Sequence, residues 1–461
     1  MEPLSIAEVV SAVGGTLVSR GADCRITGIS TDTRSITPGD LFFALQGENS
    51  DGHRFLGAAI NTGACGAVIS DRDAIQADVD ISFIIVPDTL VAMGDLAAYY
   101  RSMFDVKLIG ITGSVGKTMT REMTASILKQ KISVLKNEMN YNNEIGVPLT
   151  LFMLERSHRA IVIEMAMRGI GEIRRLAQIA KPSIGIITNI GMTHIERLGT
   201  RDAIAQAKTE LIEELPADGI AVLNADDDFY LMLRSRFPGR VISFGLSNDA
   251  DVTAQDAESD ANGFYSFRLI TPGGGIGVKL PVMGRHSVLN ALAASAAAYA
   301  IGIDTESMRD GLESFTQPSM RMEFTVTESG YGVLDDCYNA SPASVSAALQ
   351  TLDSLCGYTR KIAVLGDMLE LGDFAEKAHH DIGAALIGNG IDFLVAVGKL
   401  SAMTAAGALE SGFSVGNIYK CPNSEDAALL LSDLISPGDA VLVKGSRGMK
   451  MEKVVRVLLD D

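Results

Sequence analysis

From residue 105 onward, short runs of branched apolar residues alternate with helix-patterned segments, and that rhythm leaves few folds open. VKLIGIT, AIVIEM (160–165), SIGIITNI (183–190) and GIAVLNAD are brief and rich in Ile and Val, as strands buried on both faces are. KTMTREMTASILKQ and RDAIAQAKTELIEEL carry helical spacing between them. In the second, Ile204, Ala207, Leu211 and Leu215 share one face. The last third repeats the pattern with strands GVLDDC, KIAVLGD, DFLVAVG and DAVLVKGS, and helices ASVSAALQTL, AEKAHHDIGAALIG and EDAALLLSDLI. Strands alternating with helices argue for open, mostly parallel sheets. Residues 1 to about 104 mix shorter strand-like runs with turns, as in ITPGDLFFAL, GACGAVIS and SFIIVPD. The turn near Asp51-Gly52 is expected at the surface. At 461 residues, three α/β domains are the economical reading: 1–104, 105–318 and 319–461. The central one is expected to hold a phosphate loop on a mostly parallel sheet, and the last to be Rossmann-like.

A net charge of −18 disfavours a general grip on nucleic acid or an anionic membrane. Five scattered cysteines, Cys24, Cys65, Cys337, Cys356 and Cys421, with no CxxC pair, argue against a disulfide framework or a zinc site. The start, MEPLSIAEVV, has no basic n-region or long apolar core, so no signal peptide is read there. The alanine-rich stretch Leu289 to Ala300 is too short to span a membrane and contains Asn290 and Ser295. The expectation is a cytoplasmic protein without membrane insertion.

GITGSVGKTMTREM, residues 110–123, follows an apolar strand and opens a helix. It departs from the strict Walker pattern, because Ile111 stands where the first glycine belongs. The Gly-Lys-Thr core is intact. Gly113 and Gly116 let backbone N–H groups of the loop Gly113, Ser114, Val115 and Gly116 approach phosphate oxygens. The helix N-terminus adds partial positive charge. Lys117 can reach the terminal phosphates and the Thr118 hydroxyl can meet Mg²⁺. The plain alternative is a glycine-containing turn with an exposed lysine.

Glu164 ends the strand IVIE, where a carboxylate faces the crevice at the sheet's C-terminal edge. A metal partner or a salt bridge would each satisfy it. His194, in TNIGMTHIERLGT, lies just past the next strand and by residue type alone would be an ordinary loop histidine. Lys208 alone would be a solvated helix lysine.

Together these words resemble the Mur ligases, the ATP-dependent amino-acid-adding enzymes of peptidoglycan synthesis. The resemblance spans nearly the whole chain. STDTRSITPGDLFFALQG and DGHRF look like the family's uridine-nucleotide domain. GSVGKT, NNEIGVP, TNIGMTHIE and AKTEL lie in the centre, with GRHSVLNALAA at the join. DDCYNASP, LGDMLELG and KGSRGMKME are the most specific, and point to the branch that adds a dipeptide. The resemblance implies an ADP-forming ligase that joins D-alanyl-D-alanine to UDP-N-acetylmuramoyl-tripeptide through an acyl phosphate. It implies ATP, two Mg²⁺ sites, no nucleic-acid partner and a monomer.

By the same resemblance, Thr118 and Glu164 hold one Mg²⁺, and His194 with a carbamate on Lys208 helps hold the second. Lys117 and Arg321 meet the transferring phosphate, Asn290 the base, and Asp336 and Tyr338 the nucleotide side of the last domain. Ser30, Asp32 and Arg34 take the uridine diphosphate. Asn142 and Asn143 belong to the substrate side, and Lys444 and Arg447 line the dipeptide's site. Two departures stand out. Ala166 replaces the family's usual glycine after EM, and Ser319-Met320-Arg321 replaces Pro-Gly-Arg. The first is expected to crowd a loop by one methyl, the second to alter the hinge or the reach of Arg321. A sister ligase adding a single amino acid, and a folylpolyglutamate-synthase-like ligase, are the rivals. The absence of DNPR speaks against the diamino-acid-adding sister, and STDTRSITPGDLFFALQG against the folyl enzyme.

Overall fold

A computed structural model describes residues 1–19, 24–47, 50–75, 81–138, 140–247 and 249–460. Among the described residues three large sheets succeed one another along the chain. The first orders strands Thr16–Ser19, Ser82–Ile85, Gly66–Ile69, Asp40–Phe43 and Gly28–Ser30, parallel except for its first pair. Leu4–Ser5 and Arg25–Ile26 form a small antiparallel ladder beside it. The Asp51-Gly52 turn expected at the surface is half-buried. His53 lies beneath it, with Nδ1 2.7 Å from Asp51 Oδ1 and Nε2 accepting from Ser70 N at 3.0 Å.

The second sheet has nine strands. Its parallel heart runs Arg240–Gly245, Ile220–Asn224, Ile184–Ile187, Lys107–Thr112, Ala160–Glu164 and Val134–Lys136. Val252–Ser259 joins in parallel, and Phe264–Thr271 and Gly274–Met283 extend the edge as antiparallel strands. Alternation sends each strand's apolar residues to both faces. Leu108, Ile161, Ile163 and Leu223 pack with Leu176, Ile204 and Leu211 on one side. Ile109, Ile111, Val162, Ile186 and Val222 pack with Met123, Ile127 and Leu292 on the other. The four residues assigned to one face of helix Arg201–Glu213 and its end, Ile204, Ala207, Leu211 and Leu215, are all buried.

The alanine-rich stretch belongs to helix Arg285–Ile301, where Ala291, Ala293, Ala294, Ala296, Ala297 and Ala298 are fully buried. Small side chains let this helix lie close against the sheet and against helix Lys117–Lys129. Among the described residues no helix is long and apolar enough to cross a membrane.

The third sheet orders Glu323–Val326, Gly332–Asp335, Asp439–Lys444, Arg360–Gly366, Phe393–Val397 and Ile418–Cys421, parallel after its first antiparallel pair. Entry into it passes through Met320 (φ 60°) and Met322 (φ 55°), two side chains in the left-handed region. That region costs an ordinary residue about 1–2 kcal/mol. It explains why a glycine suits position 320. Met320 keeps the geometry through contacts: Tyr338 N donates to its carbonyl at 3.1 Å and Arg447 reaches its sulfur at 3.6 Å. Ala166 shows no such strain, being absent from the left-handed residues, and its N–H donates to Asn142 O at 2.9 Å.

Helix Thr305–Glu313 clamps the phosphate-loop helix from outside. Ser126 Oγ donates to Gly311 O at 2.7 Å, and a Cβ on Gly311 would come 2.3 Å from Ile127 Cα. Gly311→Ala is expected to destabilise the protein by about 1–3 kcal/mol, because backbone cannot yield as a side-chain tip can. That outweighs the roughly 1 kcal/mol that alanine gains over glycine in a helix. The midpoint of urea unfolding should fall; an unchanged or raised midpoint would show that the two helices can part without cost.

Candidate active site

The loop 113–116 leaves the C-terminal end of strand Lys107–Thr112, between the ends of Ala160–Glu164 and Ile184–Ile187. This is where strand order runs off in two directions, the usual ligand crevice of an open α/β sheet. Gly113 (φ 150°) and Gly116 (φ 87°) adopt backbone angles that side chains avoid. Space forbids a side chain as well. A Cβ on Gly113 would lie 1.8 Å from Thr188 Oγ1, and one on Gly116 2.3 Å from Asn290 Oδ1.

Asn189 holds the loop from outside. Ser114 N donates to its carbonyl at 3.0 Å and Val115 N to its Oδ1 at 2.9 Å, while its Nδ2 donates to Val115 O at 3.0 Å. The amides of Ser114 and Val115 are therefore committed to protein. Gly116 and the first turn of helix Lys117–Lys129 remain to meet an anion. That helix has no side-chain cap, so its leading N–H groups lack intrahelical partners. Lys117 Nζ folds back onto Gly113 O at 2.8 Å.

Glu164 is 3% exposed. Its Oε2 accepts from Thr118 Oγ1 at 2.8 Å and lies 3.6 Å from the Arg121 guanidinium. Its Oε1 accepts from Asn142 Nδ2 at 2.8 Å. Asn137 exchanges two further hydrogen bonds with the Glu164 backbone. Asn142 is thus part of the carboxylate's setting. Asn143 caps helix Gly146–Phe152, accepting from Ile145 N and Gly146 N.

Lys208 is 2% exposed, and no described residue hydrogen-bonds or ion-pairs its Nζ. Burial, then the nearby Lys117 charge, push its pKa well below the usual lysine range. Two residues on, Glu210 takes Gly171 N at 2.7 Å and Arg174 N at 3.0 Å, fixing the start of helix Glu172–Ala180. His194 sits in the left-handed region (φ 63°) and is pushed toward the neutral form chiefly by burial, against the opposing Glu370 charge. Burial likewise lowers the Lys117 pKa, with Glu164 opposing and Arg321 adding to it. Lys117, Glu164, His194, Lys208 and Arg321 therefore share one electrostatic neighbourhood.

Among the described residues no trio of His, Cys, Asp or Glu is grouped to hold a metal. The oxygens that suit a hard cation are instead a hydroxyl and a carboxylate, Thr118 beside Glu164, and they fit Mg²⁺ chemistry. A buried lysine without an acid partner fits carbamylation, since the neutral amine is the form that takes up CO₂.

The third sheet turns the C-terminal ends of its own strands to this crevice. Asp336 and Tyr338 follow Gly332–Asp335, and Arg447 follows Asp439–Lys444. Two guanidinium groups approach the Tyr338 ring, Arg321 4.1 Å and Arg447 5.9 Å from its centre. Lys444 is 2% exposed, ion-paired to Asp336, and donates to Asn339 O at 3.0 Å, so it braces Asp336. A cavity of about 540 Å³ opens between Tyr265, Arg285 and His286 on the central side and Ala347, Gln350 and Thr351 on the other.

Ser30, Asp32 and Arg34 form one turn on the first sheet. Asp32 N donates to Ser30 Oγ at 3.2 Å, and Arg34 Nε to Asp32 Oδ1 at 2.9 Å. The Arg34 hydrogen bonds hold the Asp32 carboxyl down at about 2. Among the described residues this turn makes no hydrogen bond or ion pair with the phosphate loop. Sequence reasoning missed Asn189, Asn137, Arg121, Glu210 and Glu370. Asn189, in TNIGMTH next to His194, was within reach of it, as an amide directly after a strand at the crevice edge.

Residues 25–101 match the Mur ligase family, catalytic domain; 111–298 the Mur ligase middle domain; and 320–447 the Mur ligase, glutamate ligase domain. The chain is 36% identical over 457 residues to the UDP-N-acetylmuramoyl-tripeptide–D-alanyl-D-alanine ligase of Bacillus subtilis, covering 99% of this chain and 98% of the relative. It is 40% identical over 440 residues to the ligase of the same name from Synechocystis, covering 95% and 93%. A crystal structure of MurF from Acinetobacter baumannii superposes with a TM-score of 0.92 at 33% identity, covering 100% of both chains. MurF ligase from Thermotoga maritima in complex with ADP superposes at 0.83 and 27%, covering 94% of this chain and 97% of that one.

The mould around the loop is open to a binding test. Gly116→Ala should weaken ADP–Mg²⁺ binding about tenfold or more, since strain and the Asn290 clash together reach 1–3 kcal/mol. Asn189→Ala should weaken it in the same direction by releasing both the N–H and the carbonyl of Val115 from the side-chain amide that holds them. Titration calorimetry checks both; wild-type affinity in either variant would mean that the loop holds its shape without that constraint.

Proposed function

The chain belongs to the Mur ligase family, and on that premise we infer that it is an ATP-dependent ligase joining D-alanyl-D-alanine to UDP-N-acetylmuramoyl-tripeptide, a late step in making the peptidoglycan precursor. Near-full-length identity to ligases of that name carries the reading. The convergence of Lys117, Glu164, His194, Lys208 and Arg321 on one crevice supports it.

The tripeptide's terminal carboxylate oxygen attacks the γ-phosphorus of ATP, the bond to the β-bridging oxygen breaks, and ADP leaves. The dipeptide's amine then attacks the acyl carbon. A C–N bond forms, the amine loses a proton and phosphate departs. Both steps bring anions together, so Lys117 and Arg321 act by neutralising charge that grows on the transferring phosphate. The N–H groups opening helix Lys117–Lys129 cradle the phosphates. Mg²⁺ supplies further charge neutralisation when bound, with Thr118 and Glu164 placed to hold one ion and His194 and a carbamylated Lys208 to help hold a second. For the carbamate, the neutral Lys208 amine adds to CO₂ and releases a proton, turning a cation into the anion such a position needs.

The remaining assignments are part of the same proposal. Residues 1–104 form the domain that takes the uridine diphosphate, at the Ser30–Asp32–Arg34 turn. Residues 105–318 bind ATP, with Asn290 near the base and the 540 Å³ cavity offering room for the nucleoside. Residues 319–461 present Tyr338 and Arg447 to the nucleotide and dipeptide. The enzyme would work as a monomer in the cytoplasm.

Purified protein should release ADP only when ATP, the tripeptide precursor and D-alanyl-D-alanine are all present, and should yield the pentapeptide. Lys208→Ala should lower kcat about 100-fold or more, as losing a group aimed at transition-state charge does. Formate or acetate should restore part of the loss by standing in for the carbamate. ADP release without either peptide substrate, or a fully active Lys208→Ala enzyme, would overturn the reading.

A further inference from the structure

We propose that Glu370, on the third sheet's unit, is a positioning residue for His194 of the central unit, so that the metal side of the crevice is completed only when the two units are docked. Glu370 lies in LGDMLELG, after strand Arg360–Gly366, far from His194 in sequence. Its Oε2 is 2.6 Å from His194 Nδ1. The ring N–H does not point straight at that oxygen, since Nδ1 makes no aligned hydrogen bond. The contact is foremost one of charge with a polarised ring edge.

Both residues are held in place for it. Glu370 (φ 62°) and His194 (φ 63°) each take up the left-handed backbone, a cost that persists only where surroundings enforce it. Glu370 O accepts from Glu196 N at 3.3 Å, two residues beyond the histidine. Gly372 (φ 51°) rests on Glu196, where a Cβ would approach to 3.1 Å. The near end of the strap is anchored to its own sheet. Asp367 accepts from Ser401 N at 2.7 Å and Lys399 N at 3.1 Å, Met368 N donates to His379 Nε2 at 2.9 Å, and Leu369 N to Ser446 Oγ at 2.9 Å. The strap is rigid at one end and docked at the other, which is more than a chance ion pair at a rim needs.

A carboxylate at Nδ1 keeps the ring proton on that nitrogen and leaves Nε2 with its lone pair, the form a metal-ligating histidine requires. Groups behind a ligand in this way typically change metal affinity or activity about 10–100-fold when removed. The metal part of the inference rests on the ligase reading. The contact and its effect on the ring do not.

The test uses full-length protein labelled with ¹⁵N-histidine, its His194 signals assigned with His194→Gln among the 6 histidines. Wild type should show the Nδ1-protonated ring, and Glu370→Ala a mixture of tautomers. Mn²⁺ affinity, followed by electron paramagnetic resonance, should fall about 10–100-fold in Glu370→Ala. kcat should fall with KM for the dipeptide unchanged, and Glu370→Gln, which keeps an acceptor oxygen, should recover part of each loss. Glu370 is 47% exposed, so the variants should fold; circular dichroism checks this. An unchanged His194 tautomer together with unchanged Mn²⁺ affinity in Glu370→Ala overturns the proposal. If wild type makes no pentapeptide, the ligase reading fails by itself, and the tautomer result still decides the role of Glu370.

Discussion

A carboxylate taken out of water at a strand end organises the central crevice. Glu164 is nearly fully buried, and left alone that charge would cost several kcal/mol. It is instead met by Thr118 from the phosphate-loop helix, Asn142 from the segment before helix Gly146–Phe152, and the Arg121 guanidinium. Thr118 and Arg121 share helix Lys117–Lys129, and Asn142 comes from a separate segment of chain. Satisfying one charge therefore fixes the start of the loop helix, the end of strand Ala160–Glu164 and the crossing chain between them. The rest of the site is referenced to that point, since Lys117 adjoins Thr118 and senses the Glu164 charge.

The third sheet answers with the opposite end of the same geometry. Parallel strands deliver their following loops to one edge, and here two such edges face each other. Contacts across the gap are polar and specific: Glu370 to His194, Glu370 O to Glu196 N, and Arg321 within electrostatic range of Lys117. Behind that front, the buried Lys444 pairs with the half-buried Asp336, and the two charges neutralise each other. Arg321 and Arg447, stacked on Tyr338, keep their charges available at the rim.

Much of this was legible in the chain because the signals were local. Branched apolar runs marked the buried strands to within a few residues, and Ile204, Ala207, Leu211 and Leu215 marked a buried helix face that the structure contains. The glycine loop announced itself by strand and helix context despite Ile111. What escaped were side chains whose roles are set by distant partners. Nothing near Asn143 says that its carboxamide is spent on capping a helix, or that Asn142 turns inward to Glu164. Lys444 resembles a surface cation until strand pairing brings Asp336 beside it. The surface placement of the Asp51-Gly52 turn missed that His53 tucks under it and ties it to Ser70. Glu370 was visible only as a letter in a word, because its partner sits on another sheet.

The two glycines of the loop carry one more implication. Each is obligatory because of an atom outside the loop, Thr188 Oγ1 for Gly113 and Asn290 Oδ1 for Gly116, and Asn189 then sets the amides between them. The shape is thus cast by residues some 70 to 170 positions downstream. A fragment holding residues 110–123, excised or transplanted to a foreign scaffold, would arrive as a flexible glycine-rich ribbon. Recognition of phosphate belongs to the assembled neighbourhood, and the familiar letters are only its imprint.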